Sequence, residues 1–173
     1  MPNTLNLRLA RPDDLMAVDA LLARSYPRLL RKDYPPSIMV TVVPLIARAR
    51  PELLASGRYF LVEDAEGRVL GAGGYSLSAS GARSASPSGA TPALAHIRHV
   101  ATDPDAVRQG IGRRLMHAIF AAAATEGVLQ FDCLSTRTAV PFYASVGFQW
   151  IGPVEVPMMQ GISFPAIRMA LDF

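Results

Sequence analysis

Gly110 and Gly112 stand two apart, between an apolar run that ends at Thr102 and an amphipathic run that begins at Ile111. Arg108, Arg113 and Arg114 surround them. A glycine lacks Cβ, so a turn built on it can tighten and expose successive backbone N–H groups. The helix that follows such a turn adds its positive N-terminal end. With the arginine charge, the junction suits a pyrophosphate.

The elements around the junction must place it. Leu5–Leu9 alternates and reads as a strand. Pro12, Asp13 and Asp14 suit the first turn of a helix with an apolar stripe of Leu15, Val18, Leu21 and Leu22, ending near Ala23. Residues 26–36 read as a loop, and residues 37–54 as a helical stretch broken near Pro44 and Pro51. Residues 58–63 and 69–77 form a hairpin across a turn at 64–67, with Gly71, Gly73 and Gly74 marking a bulge or close packing. Residues 78–92 are small, polar and rich in Gly and Pro, as in a surface loop. A strand over 93–102, a helix over 111–125, a strand over 128–134, a short helix over 138–146 and strands over 148–151 and 166–173 complete the chain. The strand–helix–strand unit from Ala93 to Leu134 predicts a parallel crossover. The whole predicts an α/β fold: a mixed sheet with helices on both faces, within one domain over 1–173.

Half of the 173 residues are hydrophobic and 18% are charged, which excludes a disordered chain. Apolar runs are too short for a transmembrane span, and the start carries no signal-peptide pattern. A lone cysteine, Cys133, fits a reducing cytoplasm. The net charge of +3 rests on scattered arginines, with Lys32 the only lysine. That pattern favours small anionic ligands over nucleic acid or a membrane. No Cys/His cluster has metal-ligand spacing.

Two segments resemble the GNAT superfamily of N-acetyltransferases. One is the strand and glycine turn, where that superfamily has Q/R-x-x-G-x-G/A. The other is Ala139–Phe148, AVPFYASVGF, which is similar to its A-x-x-F-Y-x-x-x-G-F element. One position departs: Val107 stands where the family has Gln or Arg, and Arg108 follows one place late. The resemblance implies the GNAT fold, with a mostly antiparallel sheet of about seven strands. It also implies acetyl-CoA as the acyl donor and an amine of a small molecule as acceptor, without a metal. Direct transfer in a ternary complex is the simpler expectation, since a lone Cys133 in an apolar strand reads as inert.

The same resemblance assigns roles. Backbone groups of Val100, Ala101 and Thr102 would pair with the pantetheine arm like an added strand edge, and a backbone N–H near Val100 could polarise the thioester. Arg108, Gln109, Gly110, Ile111, Gly112 and Arg113 would hold the pyrophosphate. Thr136 stands where relatives have a cofactor-binding Asn, and Phe142 either borders the cofactor or fills core. Tyr143 matches the tyrosine that protonates the departing thiolate. His96 sits where several members carry a general base, with Asp132 a weaker alternative. Strand alternation puts His99 on the opposite face, as a structural residue. The acceptor would lie between Tyr26, Arg28, Arg31, Lys32 and Tyr34 on one side and Glu155–Phe164 on the other. A protein or peptide acetyltransferase, a non-catalytic acyl-CoA-binding module and a homodimer formed through the last hairpin remain open at this level.

Overall fold

The computed structural model describes residues 4–78, 93–159 and 161–173. Seven strands form one sheet: β1 (Asn6–Leu9), β2 (Tyr59–Glu63), β3 (Val69–Leu77), β4 (Ala93–Thr102), β5 (Val128–Ser135), β6 (Gln149–Met159) and β7 (Ile162–Asp172). Their order is β1-β2-β3-β4-β5-β7-β6. Among the described strands, only β4 and β5 run parallel. The helices are α1 (Leu15–Leu30), α2 (Pro36–Thr41), α3 (Val43–Ile46), α4 (Pro51–Leu54), α5 (Ile111–Thr125) and α6 (Val140–Ser145).

The pleat of β2 shows how the sheet is covered. Phe60 and Val62 join the core beneath α5, with Ile111, Leu115, Met116 and Ile119. Tyr59 and Leu61 join the core beneath α1, with Val18, Leu21 and Leu22. Because side chains alternate along a strand, the two long helices cover opposite faces. A third cluster joins Leu30, Tyr34, Val42 and Val43 to Phe164 and Ala166 of β7. The mixed, mostly antiparallel sheet of the sequence reading is therefore the sheet observed.

Two boundaries differ from those read off the sequence. Helix α1 continues through Pro27 to Leu30. Pro27 removes one helical donor, but tertiary contacts on either side hold the turn. The Ser25 hydroxyl donates to the Thr102 carbonyl at 2.7 Å, and Leu30 is 2% exposed. The last two strands are eleven residues each, longer than the 148–151 and 166–173 read from the sequence. Pro153 and Pro157 masked β6 in the sequence, and the structure places β6 at the sheet edge, where proline is tolerated. The loop expected over 78–92 lies, beyond Ser78, outside the described residues.

Candidate active site

The site begins with an irregularity in β4. Ala101 pairs with Ala72 and Arg98 with Gly74, so His99 and Val100 together face the single residue Gly73. His99 adopts φ 47°, a left-handed conformation uncommon outside glycine. The Tyr59 hydroxyl donates to its carbonyl at 2.8 Å. A Cβ on Gly73 would stand 2.8 Å from Val100 Cγ2, so the glycine makes room for the bulge. Bulges bend the strand that carries them. β4 pairs with β5 only over Ala93–His96, and β5 pairs on its other side with β7. Val100, Ala101 and Thr102 lie past the end of the β4–β5 ladder.

The bulge also resets which way side chains face. Val100 packs towards the α5 core and Ala101 belongs to the α1 core. Alternation alone separates His96 from His99, yet both border one cavity. The extra residue in the bulge is the reason.

Past β4, the Asp103 carboxylate accepts from the Asp105 amide at 2.8 Å and starts a short turn, Pro104–Ala106. Arg24 Nε at 2.8 Å and Arg68 Nη2 at 3.2 Å clamp the same carboxylate. Arg108 and Gly110 then take φ of 64° and 76°. The first helical bond of α5 runs from Arg114 N–H to Gly110 O at 3.0 Å. The amides of Ile111, Gly112 and Arg113 therefore point out of the first turn without helical acceptors. Nothing stands within 4 Å of a Cβ built on Gly110. These features fit a diphosphate held on main-chain amides. Gly112 serves a different end from the one its spacing suggests: a Cβ there would meet the Phe142 ring. Arg114 also turns elsewhere, donating to the Leu5 carbonyl at 3.0 Å.

The cavity, of about 200 Å³, straddles the split between β4 and β5. His96, Ile97, Arg98 and His99 line it from β4, and Asp132, Leu134 and Thr136 from β5 and its end. Tyr26, Ile46 and Arg50 close it from the helices; Val156, Met158, Phe164 and Ala166 close it from the last hairpin. His96 Nδ1 lies 3.9 Å from Asp132 Oδ2, and Arg168 Nε holds Asp132 Oδ1 at 3.1 Å. Burial, followed by the charge of Arg98, holds the His96 imidazole below its ordinary pKa, so it is neutral at pH 7. Burial likewise takes His99 down to about 4. Thr136 Oγ1 accepts from the Ala139 amide at 3.1 Å, which fixes the turn into α6.

Tyr143 projects from α6 into the α5 core and is 6% exposed. Its phenol neighbours the Cys133 thiol, and burial keeps both protonated: the thiol is pushed up to about 12 and the phenol well above 10. A thiol so held is a poor nucleophile at neutral pH.

Of the acceptor-side residues read from the sequence, Tyr26 borders the cavity. Tyr34 acts as a strut instead. Its hydroxyl donates to the Pro165 carbonyl and accepts from the Arg137 amide, both at 2.8 Å, and its ring stacks on Phe164. Arg28 pairs with Asp105 at 3.1 Å, and neither it, Arg31 nor Lys32 lines the cavity. Arg50 and Ile46 were not legible as site residues, because only the chain's return over the sheet brings them there. Among the described residues, no cluster of His, Cys, Asp or Glu could hold a metal ion, and no helix is long and apolar enough to cross a membrane.

The family model for the acetyltransferase (GNAT) domain matches residues 55–150, which include β4, the amide turn and α6. The chain belongs to the GNAT acetyltransferase family. No curated protein sequence matches it. Among solved structures, it is similar to a GCN5-related N-acetyltransferase from Rhodopseudomonas palustris, with 18% identity, a TM-score of 0.73 and coverage of 100% of this chain and 97% of the other. It is also similar to PaiA N-acetyltransferase from Thermoplasma acidophilum, solved with coenzyme A, with 12% identity, a TM-score of 0.71 and coverage of 98% and 99%. The ribosomal-protein-S18-alanine N-acetyltransferase from Escherichia coli matches at 20% identity and a TM-score of 0.61, over 98% of this chain and 94% of that one. At these identities the likeness concerns the GNAT fold, which this chain shares over nearly its full length.

Proposed function

We propose that this GNAT domain, spanning 1–173, transfers an acetyl group from acetyl-CoA to the amine of a small molecule by direct attack in a ternary complex. One observation carries the reading. The unladdered end of β4 joins a turn of outward-facing amides on one side and borders a cavity holding a neutral imidazole on the other. The CoA complex of the Thermoplasma relative supports the choice of carrier. The cavity volume of about 200 Å³ favours a small amine over a polypeptide segment.

Acetyl-CoA would supply an activated thioester. The amides from Gln109 to Arg113, with Arg108 and Arg113 beside them, would bind its diphosphate. Backbone groups of Val100, Ala101 and Thr102 would hold its arm in extended form, with Phe142 packed beside the amide turn. An alkylammonium with a pKa of about 10 must shed a proton before it attacks. His96, neutral and within 4 Å of Asp132, accepts that proton directly or through one water. Tyr143, which matches the family's tyrosine, would be the donor for the departing sulfur from behind the cavity wall; burial keeps its proton on but also weakens it as an acid. Thr136, on the cavity wall, steadies the turn that leads into α6.

The test combines two measurements. Thiol release from acetyl-CoA is followed across a panel of amines, and CoA binding is followed by calorimetry. Tyr143→Phe should lower turnover by roughly a hundredfold or more while CoA affinity stays within a few-fold. Absence of CoA heat, with no thiol release from any amine, would overturn the reading.

A further inference from the structure

Arg50, at the start of α4, and Arg98, beside the bulge of β4, both border the cavity. Six arginines have a carboxylate partner: Arg8, Arg24, Arg28, Arg58, Arg68 and Arg168. Arg50 and Arg98 form no ion pair among the described residues. Among the described residues, Arg98 Nε donates to the neutral Ser76 hydroxyl, at 2.8 Å. Asp132, the one acid on the cavity wall among the described residues, is taken by Arg168. Asp19, on the facing helix, spends an oxygen on the Ala49 amide at 2.9 Å. Residues 79–92, next in sequence to β3 and β4, contain Arg83 and no acid.

Both side chains are exposed at the cavity mouth, where two like charges repel and stay accessible to a ligand. Partial burial, and then the field of Arg50, lower the proton affinity of Arg98. Guanidinium forks match carboxylate and phosphate oxygens in pairs. His96 and Arg98 are two residues apart on β4, a separation of about 7 Å along a strand. A single small molecule can therefore place its amine at the imidazole and its acid at the arginines. We propose that Arg50 and Arg98 together bind an anionic group of the acceptor, so that the substrate is an amine carrying a carboxylate or phosphate. This inference rests on the acetyl-transfer reading for the acceptor's identity, but the anion site itself can be tested without turnover.

The first measurement is thiol release from acetyl-CoA with matched pairs. Amino acids are compared with their amides, and phosphoethanolamine with ethanolamine. The acid member of a pair should show a kcat/KM at least tenfold higher, and the pair with the larger ratio identifies carboxylate or phosphate as the anion. Arg50→Met and Arg98→Met should each bring that ratio towards one, chiefly through KM, while Arg28→Met leaves it unchanged. Amides and plain amines used as well as the acids, or a ratio that survives both substitutions, would overturn the proposal. The second measurement follows the His96 and His99 imidazole resonances in the presence of CoA, titrated with N-acetylated amino acids and with their amides. Preferential binding of the acids, lost in the Arg50 and Arg98 variants, supports the anion site even if no amine is turned over. In that case the acetyl-transfer reading alone falls. Equal binding of acids and amides removes the anion site, whatever the turnover.

Discussion

The ring of Phe142 lies so close to Gly112 that a Cβ there would stand 2.9 Å from both Cε2 and Cζ. α5 and α6 thus approach each other through an absent methyl group. Alanine would raise the intrinsic helix propensity of this position by about 1 kcal/mol, so the contact outweighs that gain. Gly112→Ala should destabilise the fold by about 1–3 kcal/mol through overpacking, measured by urea unfolding. Phe142→Ala combined with it should cost less than the sum of the two changes, because the clash disappears.

Tyr34 joins segments that are far apart in sequence. Its hydroxyl serves the Arg137 amide, 103 positions away, and the Pro165 carbonyl, 131 positions away. Tyr34→Phe keeps the stack on Phe164 but leaves both backbone groups without that partner. A loss of about 1–3 kcal/mol is expected, together with a raised KM for the acceptor, because this strut supports the hairpin wall of the cavity.

The pH profile of catalysis follows from His96. Its conjugate acid is weakened by burial and Arg98, so the neutral form persists below the ordinary imidazole value. The rate constant kcat/KM should rise with pH to an inflection lying below 6.5. His96→Gln should remove that inflection and cost about a hundredfold in turnover. An unchanged inflection in the variant would assign the proton to another group.

His99 governs stability rather than rate. Its proton affinity in the fold falls to about 4, against about 6.5 in an unfolded chain. The unfolded state binds the proton more readily between those values, so stability drops as pH falls from 6.5 towards 4 and levels off below it. The contribution is at most about 3 kcal/mol. Asparagine tolerates the left-handed backbone at this site and does not titrate. Denaturation of His99→Asn at pH 7.5 and pH 4.5 should therefore show a smaller difference than the parent chain shows.

Local signals made part of this molecule readable in advance. The β4 and α5 boundaries and the glycine turn could be read because alternation, helical periodicity and turn residues agree there. The breaks of the second helical stretch near Pro44 and Pro51 were equally plain. What escaped depends on distant contacts. α1 runs through Pro27 because Leu30 and Ser25 find partners elsewhere in the chain. β6 hid behind Pro153 and Pro157, since nothing local says that a strand will be an edge. His99 faces the cavity because a bulge opposite Gly73 consumes one residue of alternation, and that bulge exists only as a pairing between two strands. The motif named Gly112 correctly as a position needing glycine, but the reason is a ring contributed by another helix.

β7 is the last in sequence of the seven described strands, yet it lies between β5 and β6. A ribosome delivers both of its neighbours before the piece that joins them. Until Ile162–Asp172 has left the exit tunnel, β6 has no sheet to belong to and one flank of β5 stays bare. Assembly of that half waits for β7, and the nascent protein carries exposed apolar strand surface until then, the kind of surface on which chaperones act.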